Sequence, residues 1–427
     1  MTDCIAIRPA TGPVDADVVL PGSKSYTNRA LLMAALATGE SVIEQALASE
    51  DTERMINALR ALGVRVRDDP GSASNLIVTG CDGAWPSTEV ELFVGNAGTA
   101  MRFLTAATTL GRGRFVLDGV SRMRERPIQP LLNGLAQLGA SARSQFDNGC
   151  PPVIVEANGL RGGRARMPGH LSSQFFSALL LTAPYAERDV EVVVDGELVG
   201  RPYLTMTAAS MACFGVALEH DDFSRFTVRA GQRYRAQRYL VEPDASSASY
   251  FFAAAAVTGG RVQVRGLTLD SAQGDVQFVR VLEAMGCRVT ASSDALEVIG
   301  PDELEGLEVS LRDLPDMTPT LVAIAPFART PVTIRDVGFI RHHETDRLHA
   351  LATELSRLGA CVRELDDGLV IEPSPLHGAT LATYDDHRMA MALAVTGLRV
   401  PGIELCNPDC VAKTFPNFFD TFSRLVK

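Results

Sequence analysis

The stretch Pro21-Gly22-Ser23-Lys24-Ser25-Tyr26-Thr27-Asn28-Arg29 gathers small hydroxyls and two cations, then runs into the apolar segment Ala30-Leu31-Leu32-Met33-Ala34-Ala35-Leu36. A turn ahead of a helix-forming run leaves backbone N–H groups free at the helix start, and either Ser23 or Ser25 is suited to cap them. Lys24 and, one turn on, Arg29 face the same point, so the chemistry offered is a seat for a phosphate or carboxylate. This is not the Walker loop, since G-x-x-x-x-G-K-[ST] is not met upstream of Lys24. Gly-Ser before a helix is also ordinary capping, and this stretch alone leaves both readings open.

The same logic recurs along the chain. Gly95-Asn96-Ala97-Gly98-Thr99-Ala100-Met101-Arg102 pairs small residues, which let a ligand approach backbone N–H groups, with the charge of Arg102. Leu171-Ser172-Ser173-Gln174 offers two hydroxyls and an amide, while Asp244-Ala245-Ser246-Ser247, Asp316 and Asp386-His387-Arg388 open further apolar runs. Arg122, Arg124 and Arg126 precede Pro127, which fits a first helical turn. In His342-His343-Glu344-Thr345-Asp346-Arg347 the acids Glu344 and Asp346 fit the electropositive end of a following helix. The motif H-E-x-x-H would need His where Arg347 stands, so no metal is expected.

These starts must be held by repeated elements. Helical runs ending in glycine recur at Gly63, Gly139, Gly215, Gly286 and Gly359, spaced by 76, 76, 71 and 73 residues, and Phe415 to Leu425 reads as a sixth, truncated copy. Interleaved with them are six helices rich in small residues, starting from Ser23, Asn96, Ser172, Asp244, Asp316 and Asp386, each opened by a residue suited to capping and each apolar enough to be buried. Runs such as Val153-Ile154-Val155 and Arg261-Val262-Gln263-Val264 read as strands. Six units of about 70 residues describe an α/β repeat protein, either an open solenoid or two closed domains of three units. The distinct Gly231-Gln232-Arg233-Tyr234-Arg235 favours a boundary near the midpoint.

With 427 residues, 46% of them hydrophobic, the chain can build two or more domains. A net charge of -11 argues against nucleic acid or an anionic membrane as partner, so any anion site is a local basic pocket. There is no targeting pattern at the start and no apolar run near the roughly 20 residues of a membrane span, which points to a cytoplasmic protein. The eight scattered cysteines are expected to be reduced, with Cys406 and Cys410 the only close pair.

Taken in order, Pro21-Gly22-Ser23-Lys24-Ser25, Gly95 to Arg102, Arg124-Glu125-Arg126-Pro127, Ser172-Ser173-Gln174, Asp244-Ala245-Ser246-Ser247, Glu344-Thr345-Asp346-Arg347, Asp386-His387-Arg388 and Ala412-Lys413-Thr414-Phe415-Pro416 resemble the 5-enolpyruvylshikimate-3-phosphate synthase family over essentially the whole chain. The resemblance implies two inside-out α/β barrels of three units each, one spanning residues 21-240 and the other 1-20 plus 241-427, with substrates in the cleft between them. It implies transfer of the enolpyruvyl group of phosphoenolpyruvate to the 5-hydroxyl of shikimate 3-phosphate by addition and elimination, without cofactor or metal, in a monomer serving chorismate and aromatic amino acid biosynthesis.

By motif position, the resemblance implies that phosphoenolpyruvate meets Lys24, Gly98, Arg126, Gln174, Arg347, Arg388 and Lys413. Shikimate 3-phosphate would meet Lys24, Ser25, Arg29, Ser172, Ser173, Gln174, Tyr203, Asp316 and His343. Asp316 is implied as the base toward the attacking hydroxyl, and Glu344 and Lys24 as proton carriers at the methylene carbon and the bridging oxygen. The chain departs from the family's commonest pattern at Gly200, Phe339, His343 and Asp385, and Phe103 leaves the response to the inhibitor glyphosate open. The sister UDP-N-acetylglucosamine enolpyruvyl transferases usually carry a Cys before their Arg-Pro motif, yet none lies between Cys81 and Cys150. A non-catalytic anion-binding repeat protein is the other alternative, and it would not need both Asp316 and Glu344.

Overall fold

The computed structural model describes residues 3–426. They pack as two compact units, Gly22–Glu242 and, in the other, the described residues up to Pro21 together with those from Pro243 onward. Each unit has its own apolar core.

Six buried helices organise the cores: α1 (Lys24–Leu36), α2 (Gly98–Thr108) and α3 (Ser173–Thr182) in one unit, and α4 (Ala245–Thr258), α5 (Thr318–Ile324) and α6 (His387–Gly397) in the other. They are apolar all round, as α4 illustrates: every residue from Ser247 to Val257 is buried. Small side chains let them approach closely, and short polar bonds tie them, such as Ser249 Oγ to Thr320 Oγ1 at 2.9 Å.

A second helix class packs one face only. In Glu50–Ala61 the buried positions are Asp51, Thr52, Met55, Ala58 and Leu59, a stripe at helical spacing. These helices end at the repeated glycines, whose φ values of 92°, 84°, 82°, 99° and 92° at Gly63, Gly139, Gly215, Gly286 and Gly359 are the left-handed conformation that stops a helix.

The described strands form five four-stranded sheets and one three-stranded sheet. The four-stranded sheets share one wiring. Glu89–Phe93 runs parallel to Arg112–Asp118, which is antiparallel to Val153–Asn158, itself antiparallel to Ser141–Ser144. The parallel pair needs a crossover, and α2 supplies it. Likewise Glu308–Ser310 and Val332–Arg335 are parallel across α5, and Thr380–Leu381 and Glu404–Cys406 across α6. Asp15–Val18 pairs in parallel with Arg261–Arg265, which explains why the first residues belong with the C-terminal half.

Several expectations need correction. Cys4 and Cys406 sit opposite each other on the antiparallel strands Cys4–Ala6 and Glu404–Cys406 and are joined as a disulfide, so the thiols are not all reduced. Register, which sequence spacing does not reveal, brings these distant residues together. The other described cysteines are free thiols. Only Ser23, Ser172, Asp244 and Asp386 cap their buried helices through side chains. Ser25 lies inside α1, Ala97 rather than Asn96 precedes α2, and Asp316 lies in a 3-10 turn, Pro315–Met317, ahead of α5. Pro127 lies before the helix Gln129–Gln137, where Pro130 takes the first turn. The Gly231 to Arg235 stretch lies within Gly22–Glu242, where the buried Tyr234 hydroxyl donates to Leu181 O at 2.8 Å. Among the described residues no helix is long and apolar enough to cross a membrane.

Candidate functional site

In the Gly22–Glu242 unit, the second turns of three buried helices meet at one side chain. Arg29 on α1 donates to Ser177 Oγ on α3 at 3.4 Å and lies over the Phe103 ring of α2 at 5.4 Å. The starts of α1, α2 and α3 therefore lie at the same end, which aligns their electropositive termini. Arg29 also donates to Thr207 Oγ1 at 2.9 Å, to Ser25 O at 3.0 Å and to Tyr203 O at 3.1 Å. It is directed into the interior, and burial lowers its pKa to about 10. Among the described residues no carboxylate pairs with it.

Lys24 is the first residue of α1, and its ammonium lies 3.3 Å from Asp51 with 12% of the side chain exposed. At the start of α2, Arg126 donates to both Asn96 O (3.1 Å) and Asn96 Oδ1 (3.2 Å). Pro127 forces the preceding Arg126 out of helical conformation, to φ -80° and ψ 127°. Gly98 keeps room for two guanidiniums: a Cβ there would displace Arg102 Nη1 and lie 2.6 Å from Arg126 Nη2, so either side chain would have to shift. At α3, Ser172 Oγ accepts from the Gln174 N–H at 3.2 Å. Ser173 and Tyr203 flank Gly200, whose φ of 64° suits glycine and whose Cβ position lies 3.1 Å from each of Ser173 Oγ and Tyr203 Cδ2.

The other unit concentrates charge on Arg347, 1% exposed, at the start of the helix Arg347–Arg357. Its guanidinium donates to Asp386 Oδ2 at 2.8 Å and Oδ1 at 3.2 Å, to Glu344 Oε2 at 2.9 Å and to Asp316 Oδ1 at 3.0 Å. Burial alone would loosen its proton, but Asp386, Glu344 and Asp316 more than offset that and hold its pKa above the usual value. Arg388 binds the second Asp316 oxygen at 2.7 Å and reaches the Tyr250 hydroxyl at 3.4 Å. Asp316 is thus bridged by two guanidinium groups while 22% of its side chain stays exposed. His343 Nδ1 lies 3.1 Å from Arg347 Nη1; because arginine only donates, Nδ1 accepts and Nε2 carries the ring proton. Phe339 packs edge-on to that ring at 6.1 Å. Lys413 is buried at the end of a 3-10 turn, Pro408–Lys413.

Glu344 serves Arg347 rather than the helix end; Asp346 is the cap, accepting from the His349 N–H at 3.1 Å. Sequence reading missed two acids. Asp51 lay among the acidic first-turn residues of its helix, and only packing selects it as the partner of Lys24. Asp275 is buried beside Ser246, and burial, reinforced by Asp316 and opposed by Arg388, pushes its pKa up to about 7. Among the described residues, no three His, Cys, Asp or Glu side chains gather as a metal site.

The profile of EPSP synthase (3-phosphoshikimate 1-carboxyvinyltransferase) matches residues 9–422. A 3-phosphoshikimate 1-carboxyvinyltransferase of Trichormus variabilis is 50% identical over 424 residues, covering 99% of each chain. A chloroplastic 3-phosphoshikimate 1-carboxyvinyltransferase of Solanum lycopersicum is 46% identical over 432 residues, covering 97% of this chain and 83% of its own. A solved EPSP synthase of Acinetobacter baumannii superposes with a TM-score of 0.81 at 24% identity, over 99% of this chain and 98% of that one, and shares its mixed α/β fold. With aligned helix starts that present cations and carboxylates, and a match running nearly end to end, this chain belongs to the EPSP synthase family.

Proposed function

We propose that the chain transfers the enolpyruvyl group of phosphoenolpyruvate to the 5-hydroxyl of shikimate 3-phosphate, releasing phosphate, within the shikimate pathway to chorismate and the aromatic amino acids. The observation that carries this reading is the partly exposed Asp316 carboxylate bridged by Arg347 and Arg388. It sets a proton acceptor beside cations suited to a phosphate and a carboxylate. The names of relatives at 46% and 50% identity supply the acceptor, 3-phosphoshikimate, and the transferred 1-carboxyvinyl group.

In this reading phosphoenolpyruvate is held by Lys24, Arg126, Gln174, Arg347, Arg388 and Lys413, with Gly98 leaving room for it. Shikimate 3-phosphate is held by Lys24, Ser25, Ser172, Ser173, Gln174, Tyr203 and His343, with Arg29 contributing the Nη1 N–H that its interior bonds do not use. Asp316 takes the proton of the attacking 5-hydroxyl as the new C–O bond forms. Glu344, protonated when phosphoenolpyruvate is bound, delivers its proton to the methylene carbon and takes one back from the resulting methyl group in the elimination. Lys24 protonates the bridging oxygen as phosphate leaves and is recharged by the proton that Asp316 took. Before that chemistry Arg347 is shared among three carboxylates, which hold its guanidinium protonated, and Arg388 supplies a second cation to Asp316. The shared sheet wiring supports six related units arranged as two inside-out barrels. The same reading makes the enzyme a cytoplasmic monomer.

Phosphate release, assayed with phosphoenolpyruvate and each acceptor, tests the proposal. Release with shikimate 3-phosphate and not with UDP-N-acetylglucosamine is expected; no release with shikimate 3-phosphate overturns it. Gly98→Ala pushes the added methyl onto Arg102 and Arg126. It is expected to raise KM for phosphoenolpyruvate by about tenfold, since misplacing positioning groups by about 1 Å can cost up to about 10²-fold. KM for shikimate 3-phosphate should hold, and equal losses for both substrates would contradict the placement of Gly98.

A further inference from the structure

The segment that presents Asp386 and Arg388 is held in an uncommon backbone. Tyr384 and Asp385 are consecutive non-glycine residues in the left-handed region, with φ of 56° and 55°. Such a turn persists only where its surroundings over-determine it. One side of the bracing comes from the strand end at Cys406: Thr383 Oγ1 donates to Cys406 O at 2.8 Å, and Asn407 Nδ2 donates to Asp385 Oδ1 at 3.1 Å.

The other side comes from a carboxylate that the proposed chemistry does not use. Glu354, 0% exposed, lies on the helix Arg347–Arg357 and accepts the Tyr384 hydroxyl at 2.7 Å and the Ala382 N–H at 3.1 Å. Arg357 lies 3.6 Å from the same oxygen that takes the Tyr384 hydroxyl. Burial, then Glu354, pushes the Tyr384 pKa up to about 12, so the hydroxyl remains a donor. Arg347 and Glu354 are two helical turns apart on nearly the same face. That helix therefore clamps residues 382–388 twice, through Arg347 on Asp386 and through Glu354 on the turn before it.

We propose that Glu354 and Tyr384 are positioning residues, which set the placement of Arg388 relative to Arg347 by holding the left-handed turn against the helix that carries Arg347. The kinetic form of this inference rests on the assignment of both arginines to phosphoenolpyruvate. Without the Tyr384 hydroxyl or the Glu354 carboxylate, the turn relaxes toward ordinary φ and carries Arg388 away from Asp316.

Steady-state kinetics, thermal unfolding and amide hydrogen exchange of Tyr384→Phe, Glu354→Ala and Glu354→Gln test it. Tyr384→Phe should raise KM for phosphoenolpyruvate by about tenfold with KM for shikimate 3-phosphate nearly unchanged. Glu354→Ala should do the same or more. Glu354→Gln should recover most of the loss, because its oxygen can accept from Ala382 and its NH2 can donate to the Tyr384 oxygen. In Tyr384→Phe the Arg388 and Ala390 amides should exchange faster while those of α4 do not. Unchanged KM together with unchanged exchange in Tyr384→Phe overturns the proposal, as does a Glu354→Gln variant as impaired as Glu354→Ala. If the unaltered protein releases no phosphate, the assigned reaction falls, and the exchange rates still decide the coupling.

Discussion

Asp316→Ala is expected to fold and to turn over about 10³-fold more slowly, the scale of losing a positioned general base. The fold should survive because Arg347 keeps Asp386 and Glu344 as partners, and Arg388 keeps the Tyr250 hydroxyl. Loss of the shared carboxylate should cost about 1–3 kcal/mol, seen as a lower thermal midpoint. Single-turnover phosphate release, compared with substrate binding by calorimetry, separates the two effects. Turnover within a few-fold of the unaltered enzyme would remove Asp316 from the chemistry.

The same variant has a pH signature. The Asp275 pKa is raised from 3.8 to about 7 in the folded protein, by burial first and Asp316 next. The folded state therefore binds more protons than the unfolded chain in that window, and this contribution to stability is present at low pH and lost as pH rises through about 7. Asp316→Ala removes one cause of the shift and should flatten the decline between those pH values. A thermal midpoint with the same pH slope in both proteins would contradict the electrostatic link.

Lys24→Met is the second large effect. The substitution keeps an unbranched apolar stem at the first residue of α1 and removes the ammonium beside Asp51. One cation is asked to serve both substrates, so both should bind more weakly and kcat/KM should fall by about 10²-fold or more, as for removal of a preorganised group that stabilises developing charge. Fluorescence or calorimetric titration with each ligand checks this. Weakening of only one ligand would show that Lys24 does not serve both.

The sequence alone delimited the helix ends, because glycine in the left-handed conformation follows from local sterics. It also marked the helices that had to be buried, since a run such as Tyr250 to Val257 has no polar face to give to water. The chemistry-bearing starts were legible for the same reason: Ser23, Ser172, Asp244 and Asp386 cap through bonds a few residues long. What each charged side chain pairs with was not legible. Asp316 and Arg388 are 72 residues apart, Arg347 and Asp386 39, and Cys4 and Cys406 402.

Such pairings depend on strand register and on which helix ends meet, and neither leaves a local mark in the chain. That is why Asn96 and Asp316, read as caps, instead bind arginines, why Arg29 turns inward, and why Asp51, Asp275 and Glu354 emerge only from packing. Local hydrogen bonding and hydrophobic burial wrote the elements and the cationic helix starts into the sequence. The balance of charge among those starts was decided by tertiary structure, because a buried ion is tolerable only where the fold brings a distant partner to it.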